Sequence, residues 1–159
     1  MRCAVPIVAL TACVARSPHG LLVEMRRDDP TGAQLVYAIV IHQDGTVIEG
    51  GTRIGALAPA QVDWLRNKLA ALPIASLRTA YVDAACTSLT AHGSDIAISL
   101  LADGRIKVVY DDHRCQGPPE LIALRVFERS VERLLEATTG RRLPRWQDDA
   151  RIGEPQRSK

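Results

Sequence analysis

The sequence has few aromatic residues, which make up 4% of its 159 positions. Proteins that bind single-stranded nucleic acid stack the bases on aromatic side chains, so this scarcity argues against that class. Neither sign of charge is in excess, because 20 Lys and Arg oppose 18 Asp and Glu and leave a net charge of +2. The electrostatic footprint of a DNA- or RNA-binding protein is therefore missing, and we predict no nucleic-acid partner.

The familiar catalytic and nucleotide-binding motifs are also missing from the sequence. It contains no Walker loop, no Gly-x-Gly-x-x-Gly, no His-Glu-x-x-His and no Gly-x-Ser-x-Gly nucleophile elbow. We therefore predict a protein without enzymatic activity and without a cofactor. Its length and its 47% hydrophobic content are those of one globular domain that buries its own core.

The N-terminus has the pattern of an export signal. A positive start at Arg2 precedes an uncharged, mostly apolar run from Cys3 to Ala12. That run is too short to cross a bilayer, which needs roughly 20 residues, but it is typical of the apolar region of a secretory signal. It ends in Leu-Thr-Ala followed by Cys13, which resembles the bacterial lipobox. We predict a lipoprotein signal peptide over residues 1–12, a lipid on Cys13 and a tether over residues 13–20.

This interpretation places the protein in the bacterial cell envelope, on the periplasmic side. Stable anchoring takes more than one lipid chain, and diacylation of the Cys13 thiol would supply it. We expect the outer membrane rather than the inner one. The alternative is a buried N-terminal strand that happens to precede a cysteine.

The four cysteines have different predicted fates. Cys3 would leave with the signal peptide and Cys13 would carry the lipid, so that Cys86 and Cys115 remain. Disulfides persist in an oxidising compartment, and we predict one between these two residues. The alternatives are two unpaired thiols, or a metal site that also uses His92 and His113.

The first half of the body predicts strands, a hairpin and a helix. Residues 21–25 form a candidate first strand, and residues 35–42 and 46–49 flank Asp44-Gly45, the strongest short-range hairpin signal. A helix is predicted from Pro59 to Leu72, with apolar residues on one stripe and Pro73 just beyond its end.

The second half repeats this order. Strands at residues 96–101 and 106–110 flank Asp103-Gly104, and a longer helix is predicted from Pro118 to about Ala137, with Gly140 as a stop signal. The turn residues and the helix-opening prolines recur at a constant offset, which suggests a duplicated ββα unit. We predict an α+β fold in which an antiparallel sheet of about five strands carries two helices on one face. One domain spans residues 21–140, and residues 141–159 form a polar, flexible tail.

Residues from about 21 to 137 resemble a bacterial envelope family catalogued as domain of unknown function 6438. The resemblance rests on turns and spacing at Gly32, Tyr37, residues 47–50, Pro59, Ser94, Asp95, Lys107, Cys115 and residues 119–124. Typical members carry Cys-x-Gly-x-Cys-Pro-x-Tyr before the first hairpin. Here Pro30, Gln34 and Leu35 stand at the cysteine and proline positions, so that cysteine pair is absent. The resemblance implies an exported α+β domain and implies no chemistry.

The best candidate for chemistry is a group of polar residues expected at one end of the second hairpin: His92, Asp95, Asp111, Asp112, His113 and Cys115. Imidazole and carboxylate ligands suit zinc, for which we single out His92, Asp95 and His113. His113 beside Asp111 would also serve as a general base. The alternative is that these are ordinary polar loop residues, in which Asp95 supports a neighbouring turn.

Three functions follow from these patterns. The first is a lipid-anchored periplasmic protein that binds a protein partner without catalysis, for example an inhibitor or immunity protein against an envelope-targeted enzyme. Candidate anchors for the partner are the aromatic residues Trp64, Tyr37 and Tyr110. The alternatives are a metal-assisted hydrolase at the His92/His113 end and a structural lipoprotein of envelope assembly.

Overall fold

The computed structural model describes residues 20–29, 33–82, 86, 88–89 and 94–143. The predicted signal peptide, the lipidation site Cys13, residues 14–19 of the tether, residues 144–159 of the tail and the candidate ligand His92 lie outside the described residues.

A seven-stranded sheet forms the centre of the fold. In chain order its strands are β1 (Leu21–Asp28), β2 (Leu35–His42), β3 (Thr46–Glu49), β4 (Thr52–Ala56), β5 (Ala80–Tyr81), β7 (Asp95–Ala102) and β8 (Arg105–Asp112). Their spatial order is β4-β3-β2-β1-β7-β8-β5. Neighbours are antiparallel except β5, which runs parallel to β8. The short strands β6 (Ser88–Leu89) and β9 (Cys115–Gln116) form a separate antiparallel pair.

Two helices complete the α+β architecture that the sequence predicts. Helix α1 spans Pro59–Ala70 and α2 spans Pro119–Thr139, with a single 3-10 turn at Ile74–Ser76. Both helices begin with a proline at the first helical position, where the missing N–H costs nothing. Helix α2 ends at Gly140, whose φ of 68° is the left-handed conformation of a glycine C-cap. The two predicted helices are therefore confirmed, with ends that differ by about two residues.

Both predicted hairpins are present, and β1, β2, β3, β7 and β8 correspond to the five predicted strands. The sheet gains β4 and β5 at its edges. Strand β4 is reached through Gly50 and Gly51, which both have positive φ, and the sequence after them lacks the apolar alternation by which a strand is recognised. The two hairpins and the helices that follow them repeat in order, but a short strand stands between hairpin and helix in each half.

The glycine of the first hairpin is required by close packing as well as by backbone conformation. Gly45 has a φ of 86°, and a Cβ atom placed there would lie 2.7 Å from the Leu57 carbonyl oxygen. The first hairpin is thus packed tightly against the segment that leads into α1.

The core lies between the helices and one face of the sheet. In β1, β2 and β7 burial alternates along the strand, apart from Leu22 and His42 near the strand ends, as expected when one face is covered and the other is open. The covered face carries Val23, Met25, Tyr37, Ile39, Ile41, Ile96, Ile98, Leu100 and Val109. The opposite, open face carries the half-buried and exposed positions of the strands. We call these the covered face and the open face below.

Candidate functional site

A group of charged side chains is buried at one end of the covered face. Strand alternation places Arg27 inward after Val23 and Met25, and Asp111 inward after Val109. Helix α2 contributes its own charged residues on the stripe that faces the sheet. We call the whole set the buried charge cluster: Arg27, Asp111, Asp112, His113, Arg125, Glu128 and Glu132, all of them buried.

Arg27 connects β1 to α2 through the first part of the cluster. Its Nη2 lies 3.0 Å from Glu132 Oε1, its Nη1 donates to Ser94 Oγ at 2.8 Å, and the two paired side chains are 0% and 4% exposed. The Tyr37 hydroxyl donates to the same Glu132 oxygen at 2.6 Å. Burial, and then the nearby Glu132 carboxylate, raises the pKa of Tyr37 well above its usual value, so this hydroxyl remains a donor.

Arg125 holds Asp111 in the second part of the cluster. Its Nε and Nη2 donate to the two Asp111 carboxylate oxygens at 2.7 and 2.6 Å, and Nη2 also donates to the Asp112 carbonyl oxygen at 2.9 Å. Burial alone would lower the pKa of Arg125, but the hydrogen bonds to Asp111 outweigh it and raise that pKa. The geometry is the bidentate fork that Arg and carboxylate groups favour.

His113 lies between two carboxylates that come from different elements. Its Nε2 is 3.4 Å from Asp111 Oδ2 on β8 and 3.2 Å from Glu128 Oε2 on α2. Glu128 is completely buried, and its other oxygen, Oε1, has no hydrogen-bond partner among the described residues. Burial raises the pKa of Glu128.

Asp112 faces away from this group and is held by its own neighbour. The Arg114 guanidinium donates from Nη2 to Asp112 Oδ2 at 2.6 Å and from Nε to Oδ1 at 2.9 Å. Burial opposes ionisation of Asp112, but these hydrogen bonds prevail and lower its pKa. The Arg114 side chain is 44% exposed, so this pair lies at the boundary between the cluster and solvent.

The predicted metal ligands are only partly brought together. His113 belongs to the cluster, but Asp95 lies on the open-face register of β7 and accepts a hydrogen bond from the Tyr110 hydroxyl at 2.9 Å. Glu128 was not foreseen as a neighbour of His113. In the sequence, Glu128 stands at helical spacing from Leu121, Leu124 and Leu135 of α2. That spacing places it on the buried face of the helix.

The predicted disulfide between Cys86 and Cys115 is present, with the two Cα atoms 5.1 Å apart. It closes a segment with a sequence separation of 29 residues. The alternatives of two free thiols and of metal ligation by these cysteines are therefore wrong. Cys115 is fully buried and follows His113 by two positions, so the bond fixes the chain directly beside the cluster.

The three aromatic residues considered as partner anchors have different environments. Tyr37 is only 3% exposed and its hydroxyl is bonded inside the cluster, so that prediction is corrected: Tyr37 is a core residue. Trp64 is 38% exposed on α1, with Lys68 Nζ 5.7 Å from its ring centroid. Tyr110 is 37% exposed on the open face.

Tyr110 is part of an apolar row on β8. Ile106, Val108 and Tyr110 share one face of β8 and are 57%, 49% and 37% exposed. We call these three residues the β8 stripe. Across the hairpin they stand opposite Leu101, Ser99 and Ala97 of β7, which are half-buried. The stripe therefore has a neighbouring row of small and apolar side chains on the same face.

The phenol of Tyr110 is expected to titrate about two pH units above a free tyrosine. Partial burial, and then the hydrogen bond to Asp95, raises its pKa to about 12. Since the pKa is higher in the folded chain, the folded state binds the proton more tightly, and this stabilising contribution is lost as pH rises from 10 through about 12. Phenolate absorbance during an alkaline titration measures the pKa, with Tyr110→Phe identifying the signal. Asp95→Asn is expected to lower the pKa of Tyr110 towards 10, and an unchanged value would contradict the hydrogen-bond assignment.

Comparisons with protein-family models, with curated proteins and with solved structures found no match to this chain. Within the described residues, neither helix combines the length and the apolar character that crossing a membrane requires.

Proposed function

We propose that this protein is a lipid-anchored periplasmic interaction protein, without catalytic activity, that binds a protein partner along β8. The observation that carries the proposal is the β8 stripe, whose three large apolar side chains are exposed in one row. Soluble proteins scatter such residues singly, whereas a contiguous exposed row marks an interaction surface. The lipobox-like sequence ending at Cys13 and the disulfide support the cellular location, since disulfides persist outside the cytoplasm.

The edge of β8 offers a way to bind an extended segment. Strand β5 pairs only with Tyr110 and Asp111, so no strand of the described part of the chain pairs with residues 105–109 on that side. An unpaired edge presents backbone N–H and C=O groups to an incoming strand. Strand addition of this kind draws affinity from the backbone and specificity from alternate side chains.

The side chains of β8 indicate the chemistry of the partner. Arg105 and Lys107 alternate with Ile106 and Val108 along β8. Arg105 is exposed and Lys107 is half-buried. A complementary strand would carry apolar residues opposite the stripe and acidic residues opposite these two cations. We therefore propose that the partner contributes an extended segment in which acidic and apolar residues alternate. Such a partner could be an envelope-targeted enzyme that this protein binds as an inhibitor or immunity protein.

The burial of the charge cluster favours binding over hydrolysis. The side chains of His113, Asp111 and Glu128 are 6%, 0% and 1% exposed. A hydrolase at this position would have to admit a substrate and a water molecule to the same atoms.

A photo-crosslinking side chain at Val108 tests the proposed surface in living cells. The matched control is Val126 on α2, which is 50% exposed against 49% for Val108. We expect one protein to crosslink at position 108 and not at position 126, and to bind the purified chain with a stoichiometry of one to one. Clickable palmitate in the same cells is expected to label the wild-type chain but not Cys13→Ser.

The binding constant of the purified pair then decides the proposal. Val108→Asp places an unpaired charge in the stripe and is expected to weaken binding at least about tenfold, while Val126→Asp leaves it within about twofold. Equal crosslinking at both positions, or unchanged binding of Val108→Asp, would overturn the proposal. A crosslink to a second copy of this chain would replace it with self-association through β8.

A further inference from the structure

Three potential metal ligands meet at the junction of β8 and α2. Asp111, His113 and Glu128 each offer one ligand atom, and these atoms all lie within 4.8 Å of one another. The distances from His113 Nε2 to the two carboxylate oxygens are 3.4 and 3.2 Å. Ligands of a tetrahedral zinc ion at 2.0–2.1 Å are spaced by about 3.3 Å, so the two His113 distances match a zinc shell, and the ligand atoms of Asp111 and Glu128 lie within 4.8 Å of each other.

A second observation points to a ligand in the same place. Glu128 is 0% exposed, and its Oε1 atom has no hydrogen-bond partner among the described residues. Leaving a charged oxygen unpaired in the interior is costly. A cation bound by both oxygens of the Glu128 carboxylate would give Oε1 a partner.

The local charge balance favours a cation as well. Arg125 donates to both Asp111 carboxylate oxygens and to the Asp112 carbonyl oxygen. The four carboxylates of the buried charge cluster outnumber its two guanidinium groups, and still do so when Arg114, which pairs with Asp112, is counted. We propose that Asp111, His113 and Glu128 bind one Zn²⁺ ion, which ties the end of β8 to α2.

The role that follows from the burial is structural. Three protein ligands leave one position of a tetrahedral zinc ion for a water molecule, but the ligand side chains are only 0% to 6% exposed, so within the described residues a substrate has no open approach. Arg125 would orient the Asp111 carboxylate from outside the metal shell, as the outer partners of metal ligands do. Nitrogen and carboxylate donors suit zinc better than Ca²⁺ or Mg²⁺, which prefer oxygen ligands alone. This inference does not depend on the β8 surface.

Zinc binding to the full chain, prepared without a histidine tag and stripped with a chelator, tests the proposal. We expect one equivalent of Zn²⁺ by elemental analysis after dialysis, and a dissociation constant below about 1 µM by competition with a zinc indicator. Glu128→Gln keeps the size of the side chain but removes the charge, and is expected to weaken binding at least about 100-fold.

Glu132→Gln is the matched control, because Glu132 is buried on the same helix one turn away and bonds to Arg27 instead. Because Glu132→Gln leaves Arg27 without its carboxylate partner, its fold is first checked by circular dichroism. Its zinc affinity is expected to stay within about threefold of wild type, since Glu132 Oε1 is bonded to Arg27 and Tyr37 and not to His113. His113→Ala separates this site from the other imidazoles at His19, His42 and His92.

Should Glu128→Gln fail to fold, as judged by circular dichroism, the intense visible bands of Co²⁺ bound to the wild-type chain report tetrahedral coordination. Wild-type protein that takes up no zinc at about 100 µM, or equal losses in Glu128→Gln and Glu132→Gln, would overturn the proposal.

Discussion

Replacing Arg27 with methionine is expected to lower the free energy of unfolding by about 3–5 kcal/mol. The guanidinium is fully buried, and it pairs with Glu132 at 3.0 Å and donates to Ser94 at 2.8 Å. Methionine fills a similar volume but leaves the Glu132 carboxylate without its cation. Among the described residues, only the Tyr37 hydroxyl then remains bonded to Glu132. Urea denaturation followed by circular dichroism measures the change.

Arg26→Met is the matched control for this prediction. Arg26 is the preceding residue of β1, and its side chain is 56% exposed and paired with Asp28 at 3.4 Å. Because an exposed ion pair contributes little, the loss at Arg26 is expected to stay within about 0.5 kcal/mol.

The double variant Arg27→Met/Glu132→Leu distinguishes the pair from the general packing of Arg27. Removing both charges takes away the uncompensated carboxylate, so most of the lost stability is expected to return. A double variant as unstable as the sum of its single variants would show that the ion pair is not the cause.

Removing the disulfide is expected to cost about 3–4 kcal/mol of unfolding free energy, from the loop-closure entropy of its 29-residue separation. Cys86→Ala/Cys115→Ala is the appropriate variant, because Cys115 is fully buried and a serine hydroxyl there would add a desolvation cost of its own. The measurement is denaturation of the oxidised wild type and of the variant under identical conditions.

Reduction provides the control for this second prediction. A thiol reductant is expected to lower the unfolding midpoint of the wild type and to leave that of the double variant unchanged. A variant as stable as the oxidised wild type would contradict the expectation that the Cys86–Cys115 bond restrains the unfolded chain.

Much of the fold could be predicted from local signals in the sequence. Asp44-Gly45 and Asp103-Gly104 predicted the two hairpins because positive φ at the turn restricts the residues there. A proline at the start of each helix and Gly140 after the second one predicted the helix limits. In contrast, β5 consists of two residues, and only its pairing with β8 makes it a strand.

The position of Tyr37 could also have been inferred from the sequence. It alternates with Ile39 and Ile41, which are both buried on the covered face, and the same period-two pattern places its ring inward. Tyr110 stands between Val109 and Asp111, which are both buried on the covered face, so Tyr110 points to the open face. Residue type alone makes the two tyrosines equivalent as partner anchors, whereas their positions along the strands place them on opposite faces of the sheet.

The sequence by itself determined the hairpins, the helices and the pair of cysteines available for a disulfide. These features depend on neighbours within a few residues. Only the tertiary structure decided which charges meet, since Arg27 and Glu132 are 105 residues apart and His113 and Glu128 belong to different elements. A buried charge is stable only beside its partner, and that partner is chosen by how the helix packs on the sheet.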